Sequence, residues 1–164
     1  MFGGAISNKN YILGIDPGLS GGLAVLDPIN QDIICGEIMP AKDLINRREI
    51  DPYDLSKIIE PYCNDIKFAV LEDVFSMPGQ GVASMFSFGV TKGMIMGVLG
   101  AYQIKMIRTQ PSIWKLAMKL DSNKQKSFDL ASKLFSRQQS MWRLKKQEGV
   151  AEAALIAKFG ERFF

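Results

Sequence analysis

Four carboxylates in this chain stand where an acid is costly to leave unpaired. Asp16 ends the apolar run of residues 11–15, just before Pro17-Gly18, and Glu72 ends a second apolar run, residues 66–71. Glu148 and Glu152 are four residues apart and so share a helix face. Glu152 lies within Val150-Ala151-Glu152-Ala153-Ala154-Leu155, a stretch with little other reason to carry charge. Four acids on three elements repel one another when they meet, and divalent cations resolve that repulsion. Two such ions about 3.5–4 Å apart are the apparatus for in-line attack of water on a phosphodiester, one activating the water and the other stabilising the leaving oxygen. Each acid also has a plain reading. Asp before Pro-Gly caps turns, and acids in a first helical turn complement the helix dipole.

Composition narrows the chemistry. The 164 residues include no histidine, which removes Ser-His-Asp and Cys-His catalysis and imidazole general bases. Carboxylates, lysines or a cofactor must carry any reaction. Cys35 and Cys63 are the two cysteines; they have no metal-ligand spacing and suggest a reducing compartment. Residues 1–102 carry 7 Lys and Arg against 12 Asp and Glu, whereas residues 103–164 carry 13 against 5. That asymmetry points to a polyanionic partner for the basic half; a solvated helical face is the bland alternative.

The elements that must position these residues can be read in order. Residues 11–15 and 23–26 read as two strands joined by the glycine-rich turn Pro17–Gly22, and 32–39 as a third completing a meander. Residues 40–52 read as a polar loop. Asp51-Pro52 opens a helix to about Cys63 with Leu55, Ile58, Ile59 and Tyr62 inward. A buried strand over 66–71 delivers Glu72-Asp73, repeating the opening pattern, and a loop over 74–81 follows. Phe75 in that loop is a core plug or an exposed aromatic beside the acid.

Residues 82–101 read as the longest helix, with Lys92 its one charge. Gly89, Gly93 and Gly97 share a face of it, although each glycine costs about 1 kcal/mol in a helix interior. Close approach of another backbone is the natural reason, either the sheet or the same helix of a second copy. A fifth strand over 103–108 precedes helices over 111–119 and 124–135, the second with Phe128, Leu130, Ala131, Leu134 and Phe135 inward. A basic loop over 136–146 leads to a last helix over 148–159. The expectation is one α/β domain over residues 11–164 behind a flexible tail of residues 1–10. Its five-stranded mixed sheet would be flanked by helices on both faces. No apolar run reaches the roughly 18 residues of a membrane helix, and no signal peptide is evident.

Four motifs carry a resemblance. Gly14-Ile15-Asp16-Pro17-Gly18, Leu71-Glu72-Asp73-Val74-Phe75, Pro111-x-x-Trp114-Lys115 and Glu148-Gly149-x-Ala151-Glu152-Ala153 occur in the order and spacing of RuvC-type Holliday-junction resolvases, in a phage-like branch. The resemblance covers residues 11–160. It implies a ribonuclease H-like fold and a homodimer, for which the helix over 82–101 is the expected contact. It also implies binding of four-way DNA junctions and paired symmetric nicks with two Mg²⁺ or Mn²⁺ ions per active site.

Asp16 and Glu72 match the family's first two catalytic acids and metal ligands, and Glu152 matches the last. Glu148 takes the place of the third, four residues before the last rather than the usual three. A Glu reaches about one methylene further than Asp, so metal spacing can differ. Phe75 matches an aromatic that stacks on bases, Lys115 a lysine of the catalytic centre, and Lys124 one on the DNA backbone. The expected setting is the cytoplasm of a bacterium or phage-infected cell, at the nucleoid. A fork or other branched-DNA nuclease and a catalytically silent junction-binding protein are the alternatives. The opening motif also suits an actin-like kinase, but 164 residues are too few for its two lobes.

Overall fold

The computed structural model describes residues 9–73, 79 and 81–164. Residues 1–8 of the expected tail, and Phe75, lie outside them. Strands β1 (Tyr11–Asp16), β2 (Gly22–Asp27) and β3 (Asp32–Ile38) form the antiparallel meander. Strand β4 (Ala41–Asp43) pairs antiparallel with β5 (Arg48–Ile50) in a separate hairpin. Helix α1 (Pro52–Ile59) follows, then β6 (Ile66–Glu72), helix α2 (Val82–Ala101), β7 (Met106–Thr109) and the helices α3 (Pro111–Ala117), α4 (Lys124–Leu134) and α5 (Glu148–Gly160). The main sheet has five strands in the order β3-β2-β1-β6-β7, with β6 and β7 added parallel to β1. The mixed α/β sheet is therefore as expected.

Apolar residues on both strand faces require helices on both sides. On one side, Ile12, Ala24, Leu26, Phe68 and Val70 pack with Trp114, Ala131, Phe135, Trp142 and most of α5. On the other, Leu13, Ile15, Leu23, Val25, Ala69 and Leu71 pack with Leu55 and Ile59 of α1 and Ile95 and Leu99 of α2.

Three expectations are corrected. Residues 40–52 hold the β4–β5 hairpin; its strands are mostly solvated, with Ile50 the buried member, so no alternating apolar pattern marks them. The basic stretch before α5 is wound into 3₁₀ turns, and Trp142 within it is fully buried. Its ring meets Phe135 edge-on at 6.4 Å and its Nε1 donates to Ser132 Oγ. Leu134 is exposed instead of inward, because α4 ends there and Phe135 takes the core position.

Helix α2 buries Thr91, Ile95 and Leu99, spaced four apart, and leaves Val82 and Phe86 exposed. Among the described residues, a Cβ at Gly89, Gly93 or Gly97 would meet nothing within 4 Å. The glycine row faces away from the sheet, so close packing on the sheet is not its reason. By length and composition α2 is long and apolar enough to cross a membrane, contrary to the expectation that no apolar run reaches that length. A helix covered by protein meets the same description, and the buried stripe shows that protein already covers one side.

Candidate active site

Strand periodicity sends alternate side chains to opposite faces. Along β1, Ile12 and Gly14 lie on the α5 side, so Asp16 follows them there. Along β6, Phe68 and Val70 lie on that side, and Glu72 follows. Parallel pairing of β1 with β6 keeps the two strand ends level, with Ile15 opposite Leu71. Two acids thus leave one edge of one sheet face.

The third comes from α5, which crosses these strands in close contact. A Cβ at Gly14 would stand 2.5 Å from the Ala157 nitrogen, and one at Gly22 would stand 2.8 Å from the Val150 nitrogen. Gly21 and Gly149 pair as an isolated parallel bridge. These glycines bring the first turns of α5 down onto the β1–β2 turn and set Glu152 beside the strand-end acids. Glu72 and Glu152 are both buried, each 9% exposed.

Adjacent residues of α3 hold these two acids. Pairing of β6 with β7 sets Thr109 opposite Glu72, and α3 begins two residues later, with Pro111 in its first turn. Trp114, fully buried, donates its Nε1–H to Glu72 Oε1 at 2.8 Å. Lys115 Nζ donates to Glu152 Oε1 at 3.0 Å. Asp16 Oδ1 accepts a long bond from the Gly18 amide at 3.3 Å. Burial, then the charges of Glu72 and Glu152, push the Asp16 carboxyl up to about 7, against weaker opposition from the Gly18 amide and Lys124. Glu72 is raised chiefly by burial, with Glu152 adding, while the Trp114 bond and the charges of Lys115 and Lys124 pull it back.

Beside it lies a cleft of about 480 Å³ lined by Ser20, Lys124, Lys145, Lys146 and Glu148. Glu148 is the first residue of α5 and stands among lysines, a turn before Glu152. Among the described residues, no three acids are drawn close enough to coordinate an ion as they stand. Their carboxylates are nevertheless the oxygen donors that hard divalent cations take.

No protein-family model matches the sequence, and no curated protein matches it either. Solved structures do. Thermus thermophilus RuvC in complex with a Holliday junction substrate superposes with a TM-score of 0.67 at 14% identity, over 94% of this chain and 96% of that one. A second Thermus thermophilus RuvC structure gives 0.62 at 16% identity, over 93% and 96%. The fold is that of RuvC, a ribonuclease H-like fold.

Within this RuvC-like fold the structure gathers Asp16, Glu72, Glu152 and Lys115, and places Lys124 and Glu148 in the adjoining cleft. Sequence reading passes over several neighbours. Trp114 is visible as a motif residue, but an apolar ring gives no hint of where its N–H will point. Lys145 and Lys146 are visible only as part of a basic stretch. Asp73, next to Glu72, projects to the opposite sheet face, where it is buried and paired with Lys92 of α2 and, at 3.7 Å, with Arg108 of β7. Two consecutive acids at a strand end are the available signal: one must face each way.

Proposed function

We propose that this chain is a structure-selective DNA endonuclease that resolves four-way junctions by paired, symmetric phosphodiester hydrolysis. It acts as a homodimer through the open face of α2, in the cytoplasm of a bacterium or phage-infected cell. One observation carries the reading. Asp16, Glu72 and Glu152 converge on one sheet edge, beside a lysine-lined cleft. The likeness in fold to a RuvC solved with a Holliday junction supports the choice of substrate.

Asp16, Glu72 and Glu152 would hold two divalent ions, Mg²⁺ or Mn²⁺, with Glu148 as the fourth ligand. Bound there, such ions supply an activated water and neutralise charge at the reacting phosphate. The chain's own groups do the rest. Lys124, Lys145 and Lys146 accept the DNA backbone and set its register. Lys115 steadies Glu152 and offers a positive charge close to the developing one. Phe75 would stack on bases near the junction centre. A junction-binding protein with little cleavage is the second reading, favoured by the place of Glu148 among lysines.

Cleavage of a synthetic immobile four-way junction, beside linear duplex and a replication fork, in Mg²⁺, Mn²⁺ or EDTA, tests both. Metal-dependent paired nicks confined to the junction are expected, and Asp16→Asn should abolish them while junction binding persists. Tight binding without nicks would replace the first reading by the second. Cutting of the fork alone would change the substrate.

A further inference from the structure

A buried tryptophan must find an acceptor for its N–H. The chain's two tryptophans are both fully buried in the same core, yet they solve this differently. Trp142 donates to the hydroxyl of Ser132, a neutral group on α4. Trp114 donates to a carboxylate oxygen of Glu72, at the sheet edge where the acids converge. The indole is rigid and packed on all sides, so its N–H arrives from a fixed direction. It binds one oxygen of Glu72 and thereby limits how the carboxylate can turn. Lys115, the next residue, does the corresponding thing for Glu152.

We propose that Trp114 is a positioning residue, holding the Glu72 carboxylate in the orientation from which it ligates a divalent cation. This rests on the reading of Glu72 as a metal ligand. Partners that orient a ligating side chain in this way contribute about 10–100-fold to metal affinity. A purely structural tryptophan would contribute to folding alone. Trp142 supplies the comparison within the same molecule, because its N–H is satisfied away from the acids.

The test is the affinity of the full chain for Mn²⁺ alone, counted by electron paramagnetic resonance of the free ion. Parent, Trp114→Phe, Trp142→Phe and Glu72→Gln proteins are compared, with thermal melts on each. Phenylalanine keeps a buried ring and deletes the donor. Trp114→Phe should weaken Mn²⁺ binding about tenfold or more, whereas Trp142→Phe should lower the melting temperature and leave affinity unchanged. If Trp114→Phe binds Mn²⁺ like the parent while Glu72→Gln loses it, the positioning role is overturned. If Glu72→Gln itself binds like the parent, the metal reading beneath the proposal fails.

Should Trp114→Phe not fold, the parent's two indole N–H resonances, followed by NMR during Mg²⁺ titration, decide instead. The Trp114 signal should shift and the Trp142 signal stay. A Trp114 signal unmoved at Mg²⁺ saturation would overturn the proposal.

Discussion

At the scale of single residues, the costs of burial and like charge meet at Asp16. Its carboxyl is raised from 3.8 to about 7, so the folded chain holds a proton there that the unfolded chain has released. Stability therefore falls as pH rises between about 4 and 7, and the full penalty is present above 7. At about 1.4 kcal/mol for each tenfold change in proton affinity, this is a destabilisation on the order of 4 kcal/mol at pH 8. Thermal melts in EDTA should show it, and Asp16→Asn should flatten that part of the pH profile. Mg²⁺ should then raise the melting temperature more at pH 8 than at pH 5, because it neutralises a charge that exists only at the higher pH. A second prediction concerns Lys124, exposed at the rim of the lysine cleft. Lys124→Ala should weaken junction binding and reduce the slope of log K against log salt by about one contact, measured by binding titrations at several salt concentrations.

At the scale of elements, the site depends on how closely α5 can approach β1 and β2. Gly14 sits in mid-strand, where glycine is otherwise a weak choice, and its missing Cβ is the space that the backbone of α5 around Ala153 and Ala157 occupies. Gly14→Ala must push the helix outward, since neither backbone can yield as a side chain could. The expected cost is about 3 kcal/mol, a fall of roughly 6–12 °C in melting temperature for a chain of this size. Because the same shift carries Glu152 away from Asp16, Mn²⁺ affinity should fall with it. Calorimetry and metal titration on the one variant check both. Helix α3 matters for a related reason. It starts directly after β7, so a single turn suffices to place Trp114 on Glu72 and Lys115 on Glu152.

At the scale of the whole molecule, α2 is the unfinished part. One stripe packs on the sheet, while Gly89, Gly93 and Gly97 face open space with Val82 and Phe86 exposed nearby. Small residues in a row admit a second backbone, and a twofold contact uses the same patch on both copies. The parent should be a dimer at micromolar concentration by sedimentation, and Gly93→Leu should be a monomer with its fold intact by circular dichroism. A dimeric Gly93→Leu protein would place the contact elsewhere. Two symmetric sites on one dimer are also what paired nicks require.

Much of this molecule is legible in its sequence, because it rests on local chemistry. Apolar runs ending in Asp16 and Glu72, turn glycines, the helix start at Asp51-Pro52 and the lack of histidine all act over a few residues. They suffice for a mixed sheet covered by helices and for acids at the ends of β1 and β6, though not for the β4–β5 hairpin. Tertiary structure alone decides what depends on direction across long separations. Which face each acid takes follows from strand parity once register is set: Glu72 joins Asp16, and Asp73 turns to Lys92. That Trp114 spends its N–H on Glu72 depends on packing against a strand 42 residues away. That the α2 glycines look outward, and that Glu148 stands among lysines, follows from how each helix is rotated on the sheet, an angle fixed by the sum of its contacts and by no single residue in it.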